Sequence, residues 1–122
     1  MNIDSTALRK LMADILTALG VPEDECYVVT ESLLEATLGG YDSHGIMRIP
    51  MYYEDIRAGL MVPGATIDTV QESAAGALLD ANYGLGPVVA ERALSVACDK
   101  ATQTGVGCVS VTSLFIQVRQ VS

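Results

Sequence analysis

The chain has a single histidine, His44, which stands in the run Asp42-Ser43-His44-Gly45 with Arg48 four residues on, then Pro50 and Tyr52. An imidazole takes or gives a proton near neutral pH. A guanidinium offers a planar fork that binds a carboxylate through two parallel hydrogen bonds, fixing its orientation as well as its charge. Together they are the minimum needed to grip a carboxylate beside a carbon whose oxygen gains or loses a proton. The chemistry they point to is that of a small 2-hydroxy or 2-oxo acid.

Spacing gives the physical reason. In a helix starting at His44, positions i and i+4 share a face, so the imidazole and the Arg48 guanidinium project together while Ile46 and Ile49 turn inward. Ser43 falls at the N-cap of such a helix, where its hydroxyl bonds a free amide or orients the ring. Each residue also has a plainer role open to it: His44 as a surface or capping residue, Ser43 as a cap alone, and Arg48 as the partner of Glu54 or Asp55. Tyr52 and Tyr53 read by default as half-buried packing residues with a polar tip.

The elements that must hold these residues are legible as periodicities. Leu8, Leu11, Met12, Ile15 and Leu19 recur at helical spacing, with Ser5 as the expected cap and Gly20 as the stop. Val21-Pro22-Glu23-Asp24-Glu25 opens a second helix, since proline is tolerated and acids are favoured in a first turn. It runs to Gly39-Gly40 with Val28, Val29, Leu33, Leu34 and Leu38 as its apolar set. A third helical stretch from about Gly45 to Arg57 is interrupted at Pro50 and ends at Gly59.

After Pro63-Gly64 the pattern changes. Thr66 to Glu72 and Ala75 to Asp80 read as a hairpin, and a long helix from about Pro87 to Thr104 carries Val89, Ala93, Val96, Ala97 and Ala101, small enough to lie close against a sheet. Gly105 ends it and Gly107 to Thr112 reads as another strand. The expected domains are residues 1–62, helical and bearing the substrate and catalytic residues; 63–112, the beginning of an α/β cofactor domain; and 113–122, a divergent tail.

Composition narrows the function classes. Half of the 122 residues are hydrophobic and only 18% are charged, which argues against disorder. A net charge of −8 argues against nucleic acid or an anionic membrane as partner. No apolar stretch reaches the length of a membrane span, and the start of the chain lacks the apolar run of a signal peptide, so the expected location is cytoplasmic. Cys26, Cys98 and Cys108 are odd in number and widely spaced; they read as buried structural thiols rather than a disulfide framework. With one histidine and no clustered cysteines, no metal site is expected.

Gly84-Leu85-Gly86-Pro87 follows an expected strand and precedes a helix, as a dinucleotide-binding turn would. The fingerprint fails: its third glycine position is Val89, Pro87 removes an amide, and no acid follows at the ribose-contact distance. Glycines that permit a tight strand-to-helix turn are the stronger reading.

In their order along the chain, Asp42-Ser43-His44-Gly45, Arg48, Pro50, Tyr52, Ile56-x-x-Gly59, Leu79-Asp80 leading to Gly84-Leu85-Gly86, and Gly105-Val106-Gly107 resemble the N-terminal part of the type 2 malate/L-lactate dehydrogenase family, which includes sulfolactate and ureidoglycolate dehydrogenases and cyclic-imino-acid reductases. The resemblance implies an α+β fold, a helical bundle followed by the start of a non-Rossmann α/β domain that binds NAD or NADP. It implies that His44 donates or accepts the proton, oriented by Ser43, and that Arg48 holds the substrate carboxylate with Tyr52 close by. It also implies a small carboxylic acid as substrate and a homodimer for full-length relatives.

The end of the chain departs from the family. Where relatives continue with a second histidine, this chain has Thr112-Ser113-Leu114-Phe115-Ile116-Gln117-Val118, with isoleucine at the expected position. The expectation is therefore an N-terminal fragment of an oxidoreductase that moves hydride between NAD(P) and a 2-hydroxy acid, or the matching 2-oxo or imino acid. The alternative is a noncatalytic fragment lacking most of the cofactor site, at most an interaction module.

Overall fold

The structure is a computed structural model in which residues 4–40 and 45–114 are described. The Phe115-to-Ser122 part of the expected tail lies outside the described residues. By its contacts the chain divides into two compact units, Met1–Gly64 and Ala65–Ser122.

The first unit is helical. Helix α1 spans Ser5–Ala18 and buries Met12 and Leu16. Its cap is Asp4 rather than the expected Ser5: Asp4 is extended and its Oδ1 accepts a hydrogen bond from Thr6 N at 3.3 Å, while Ser5 is already helical. At the far end Gly20 adopts φ +88°, Gly20 N bonds Thr17 O, and Val21 N bonds Leu16 O. That is a Schellman stop, and it brings Val21 and Leu16, both buried, to one spot.

Helix α2, Glu23–Leu38, begins after Pro22 with three acids in its first turn. It buries Cys26, Val29, Thr30, Leu33 and Leu34 and packs on α1, with an Arg9–Glu31 ion pair of 2.8 Å across the surface. Leu38, expected among its apolar contacts, is exposed on the last turn. A 3₁₀ turn at Ile46–Arg48 leads directly into α3, Ile49–Arg57. The helix was expected to be interrupted at Pro50; instead Pro50 lies in the first turn of α3, where its missing N–H would have had no partner anyway. Gly59, at φ +76°, ends α3 by the same device as Gly20, with Leu60 N on Asp55 O and Gly59 N on Ile56 O.

The second unit holds a three-stranded sheet in the order β1-β2-β3. Strands β1, Asp68–Glu72, and β2, Gly76–Asp80, form the expected antiparallel hairpin, with an irregularity between Thr69 and Gln71. Helix α4, Gly86–Thr104, carries the chain back so that β3, Cys108–Thr112, runs parallel to β2. Leu79, Ala81, Leu85 and Val89 form its buried centre. Gly107 passes so close to α4 that a Cβ there would overlap the Ala97 carbonyl, which is why the residue leading into β3 is a glycine. Gly105 takes φ +91° to end the helix.

Two thiols are not where composition placed them. Cys26 is buried, whereas Cys98 and Cys108 are exposed. Position decides this: Cys98 is on the outer surface of α4, and Cys108 opens β3 at the edge of the sheet. No helix among the described residues is long and apolar enough to cross a membrane.

Candidate functional site

Ser43 and His44 lie outside the described residues, and so does Asp42. The described chain resumes at Gly45, which is buried and packs directly on α2: a Cβ on Gly45 would fall on the Thr37 hydroxyl. The same hydroxyl accepts a hydrogen bond from Ile46 N at 3.0 Å and donates one to Leu33 O at 3.0 Å. Thr37 thus joins the last turn of α2 to the residue two positions after His44. Sequence reading missed it, because the two partners are nine residues apart and no local periodicity links them.

From this anchor the 3₁₀ turn presents Arg48, and α3 presents Tyr52 one turn later. Arg48 is partly buried and Tyr52 is buried. The structure brings the two together electrostatically: burial pushes the Tyr52 phenol above its usual value, because phenolate is poorly solvated there, while the nearby Arg48 charge pulls it part of the way back. Ile46 and Ile49 are half-buried, consistent with their turning inward.

Asp55 is the second residue that sequence reading did not single out as a site residue. Only Tyr52 and Asp55 are buried in α3, three residues apart and therefore neighbours on one helical face. A helix whose buried face is a phenol and a carboxylate, with Ile49 and Ile56 less covered, is not built for packing alone. Asp55 is 5% exposed and its Oδ2 has no hydrogen-bond partner among the described residues. Buried carboxylate oxygens are normally paired, so this one is a polar group whose partner is not found among the described residues.

The glycine turn before α4 stands where a cradle for a dinucleotide diphosphate would stand. Asn82 and Tyr83 take positive φ, and the amides of Asn82, Tyr83 and Gly84 are bound to Asp80 Oδ1, Ser113 O and Ala81 O at 2.8–2.9 Å. Pro87 has no amide, and a Cβ on Gly84 would meet Ala81 O at 3.1 Å. Gly84 serves the chain's own close packing while Gly86 stands in open space, and with the amides of Asn82, Tyr83 and Gly84 already bound and none at Pro87 the turn does not fit a diphosphate. Among the described residues no group of three or more His, Cys, Asp or Glu side chains could hold a metal ion.

Residues 3–114 match the sequence profile of the malate/L-lactate dehydrogenase family. The L-sulfolactate dehydrogenase of Methanothermobacter thermautotrophicus is 41% identical over 111 residues, which are 91% of this chain and 33% of that protein. The solved malate dehydrogenase of Pyrococcus horikoshii superposes with a TM-score of 0.91 at 33% identity, covering 95% of this chain and 33% of that one. The sulfolactate dehydrogenase of Methanocaldococcus jannaschii does so with a TM-score of 0.87 at 37% identity, over 91% and 32%. The chain belongs to the malate/L-lactate dehydrogenase family. It spans about a third of the length of the curated relatives it matches.

Proposed function

We propose that this chain supplies the substrate-binding and proton-transfer side of a dehydrogenase that moves hydride between NAD or NADP and a small 2-hydroxy acid, or reduces the matching 2-oxo or imino acid. The observation that carries the reading is the Arg48–Tyr52 pair at the head of α3, anchored through Thr37 and following directly on Asp42-Ser43-His44-Gly45. In this reading residues 1–62 hold the acid and residues 63–112 begin a non-Rossmann cofactor domain. Of the tail read as residues 113–122, the part from residue 115 on lies beyond the family match.

Each residue's part follows from its chemistry. The Arg48 fork takes the carboxylate in two hydrogen bonds, which turns the neighbouring carbon to a fixed side. His44, its ring oriented by Ser43, takes the hydroxyl proton in the oxidative direction; protonated, it returns that proton to the oxygen in the other. Tyr52 remains a neutral phenol at neutral pH, able to donate a hydrogen bond to the bound acid without repelling it. The nicotinamide exchanges hydride when bound. Because the glycine turn of this chain does not fit a diphosphate, no residue here is assigned to hold that group.

The reading extends to a cytoplasmic location, supported by three unpaired thiols, and to a homodimer in full-length relatives, supported by the family resemblance. The test is a graft in which residues 3–114 replace the matching third of the M. thermautotrophicus L-sulfolactate dehydrogenase. Reduced nicotinamide oxidation that saturates with a 2-oxo acid is expected. A graft that folds, binds the cofactor and shows no such turnover would overturn the reading.

A further inference from the structure

The two edges of the sheet are not alike. Among the described residues β1 and β3 each pair on one side only, with β2. The β1 edge is blunted, since it carries Asp68 and Glu72 and its register shifts between Thr69 and Gln71. The β3 edge, Cys108-Val109-Ser110-Val111-Thr112, holds no charge and no proline and keeps an unbroken register against β2. Its Cys108 amide bonds Ala75 O and its Thr112 carbonyl accepts Ala81 N, so the backbone of these residues faces β2. Strand alternation then turns the amides and carbonyls of Val109 and Val111 outward, onto the open edge.

The side chains set a second condition. Val109 and Val111 are half-buried and stand beside Ala77 and Leu79 on the face that α4 covers, whereas Cys108, Ser110 and Thr112 are exposed on the other. A strand added at this edge must alternate in step, apolar opposite the valines and polar opposite Cys108 and Ser110.

The sequence immediately after β3 has that pattern. Ser113, at φ +57°, leaves the extended backbone as β3 ends. Beyond it Ile116-Gln117-Val118-Arg119, outside the described residues, alternates apolar and polar. A reversal over four residues, Thr112 to Phe115, is a common hairpin length. It sets Ile116 opposite Val111, Gln117 opposite Ser110, Val118 opposite Val109 and Arg119 opposite Cys108. A slip of one residue either way would set Gln117 against a valine. We propose that residues 116–119 add to β3 as a fourth, antiparallel strand, so that the chain closes its own open edge. The family match stops at residue 114, so this strand is a feature of the chain beyond that match, and it does not depend on the dehydrogenase reading. An edge closed in this way no longer accepts a strand from another molecule.

The register is read by cross-linking. Val109 and Val111 would make the hydrogen-bonded pairs, which leaves Cys108 and position 119 as a non-hydrogen-bonded pair with Cα atoms about 4.5 Å apart, a separation that a disulfide spans. In the full chain carrying Cys98→Ser, Arg119→Cys should form an intramolecular disulfide with Cys108 under oxidised glutathione. It should do so about tenfold or more faster than Gln120→Cys, whose side chain falls on the opposite face. Adding Val118→Asp, which puts a charge into the layer beneath α4, should erase that preference. Non-reducing peptide mapping follows each reaction. Absence of the Cys108 disulfide in Arg119→Cys, equal or faster reaction of Gln120→Cys, or a preference that survives Val118→Asp would overturn the proposal. Disulfides formed between two molecules would overturn it as well, and would give the edge to a second copy of the chain.

Discussion

Thr37 Oγ1 accepts the amide of Ile46 at 3.0 Å, and the backbone of Gly45 passes over the same threonine with no room for a Cβ. This contact ties the segment following His44 to a helix that ends before the segment begins. It places the burden of positioning the site on two residues that carry no chemistry of their own.

Replacing either should loosen that tie. Thr37→Val keeps the shape and leaves the Ile46 amide without its acceptor, at a cost of about 1–3 kcal/mol. Gly45→Ala forces a methyl into Thr37, and overpacking of this kind costs about 1–3 kcal/mol. Urea unfolding of both variants checks this; a Gly45→Ala chain as stable as the parent would show that the approach is not close in solution.

The Tyr52 phenol gives a pH signature. Its value is raised in the folded chain, so the folded state holds the phenolic proton more tightly than the unfolded state does. The corresponding stability is present in full below the ordinary tyrosine value of about 10 and is lost as pH rises from there through the folded value. Tyr52→Phe should remove that alkaline component. Unfolding midpoints measured across the alkaline range in both chains provide the check, and identical slopes would contradict the assignment.

Much of this was readable in the amino-acid order, and the misses share a cause. Helical spacing, Gly20, Gly59 and Gly105 located the helices and their ends, because positive-φ stops and 3.6-residue periodicity are local properties. Asp4 and Ser5 are adjacent oxygen-bearing residues, and pattern alone does not choose between them as cap. Pro50 marks either a break or a start, and only the 3₁₀ turn before it decides. Thr37 on Ile46, the burial of Asp55 and the exposure of Cys98 and Cys108 depend on packing between segments distant in sequence. The site was legible as residue types; the side chains that brace it were not.

In the second unit, the two glycines flanking Val106 should respond differently to alanine. At Gly105 the space is open, and only the left-handed backbone resists, at about 1–2 kcal/mol. At Gly107 the new methyl would strike the Ala97 carbonyl group, which is helix backbone and does not rotate away. Gly107→Ala should therefore be the more destabilising of the two. Thermal unfolding of the pair would reveal a reversed order if β3 is not packed this closely on α4.

The most direct measurement of the central assignment is steady-state kinetics on His44→Ala and Arg48→Lys within the active sulfolactate dehydrogenase graft. The two residues act on different parts of one substrate, so the variants must fail differently. His44→Ala should lower kcat by about a hundred- to ten-thousandfold through loss of the proton-transfer group. Arg48→Lys keeps the charge but not the fork, and it should act chiefly on KM, by about ten- to a hundredfold. Near-normal turnover in His44→Ala, or an Arg48→Lys variant with an unchanged KM, would contradict the account.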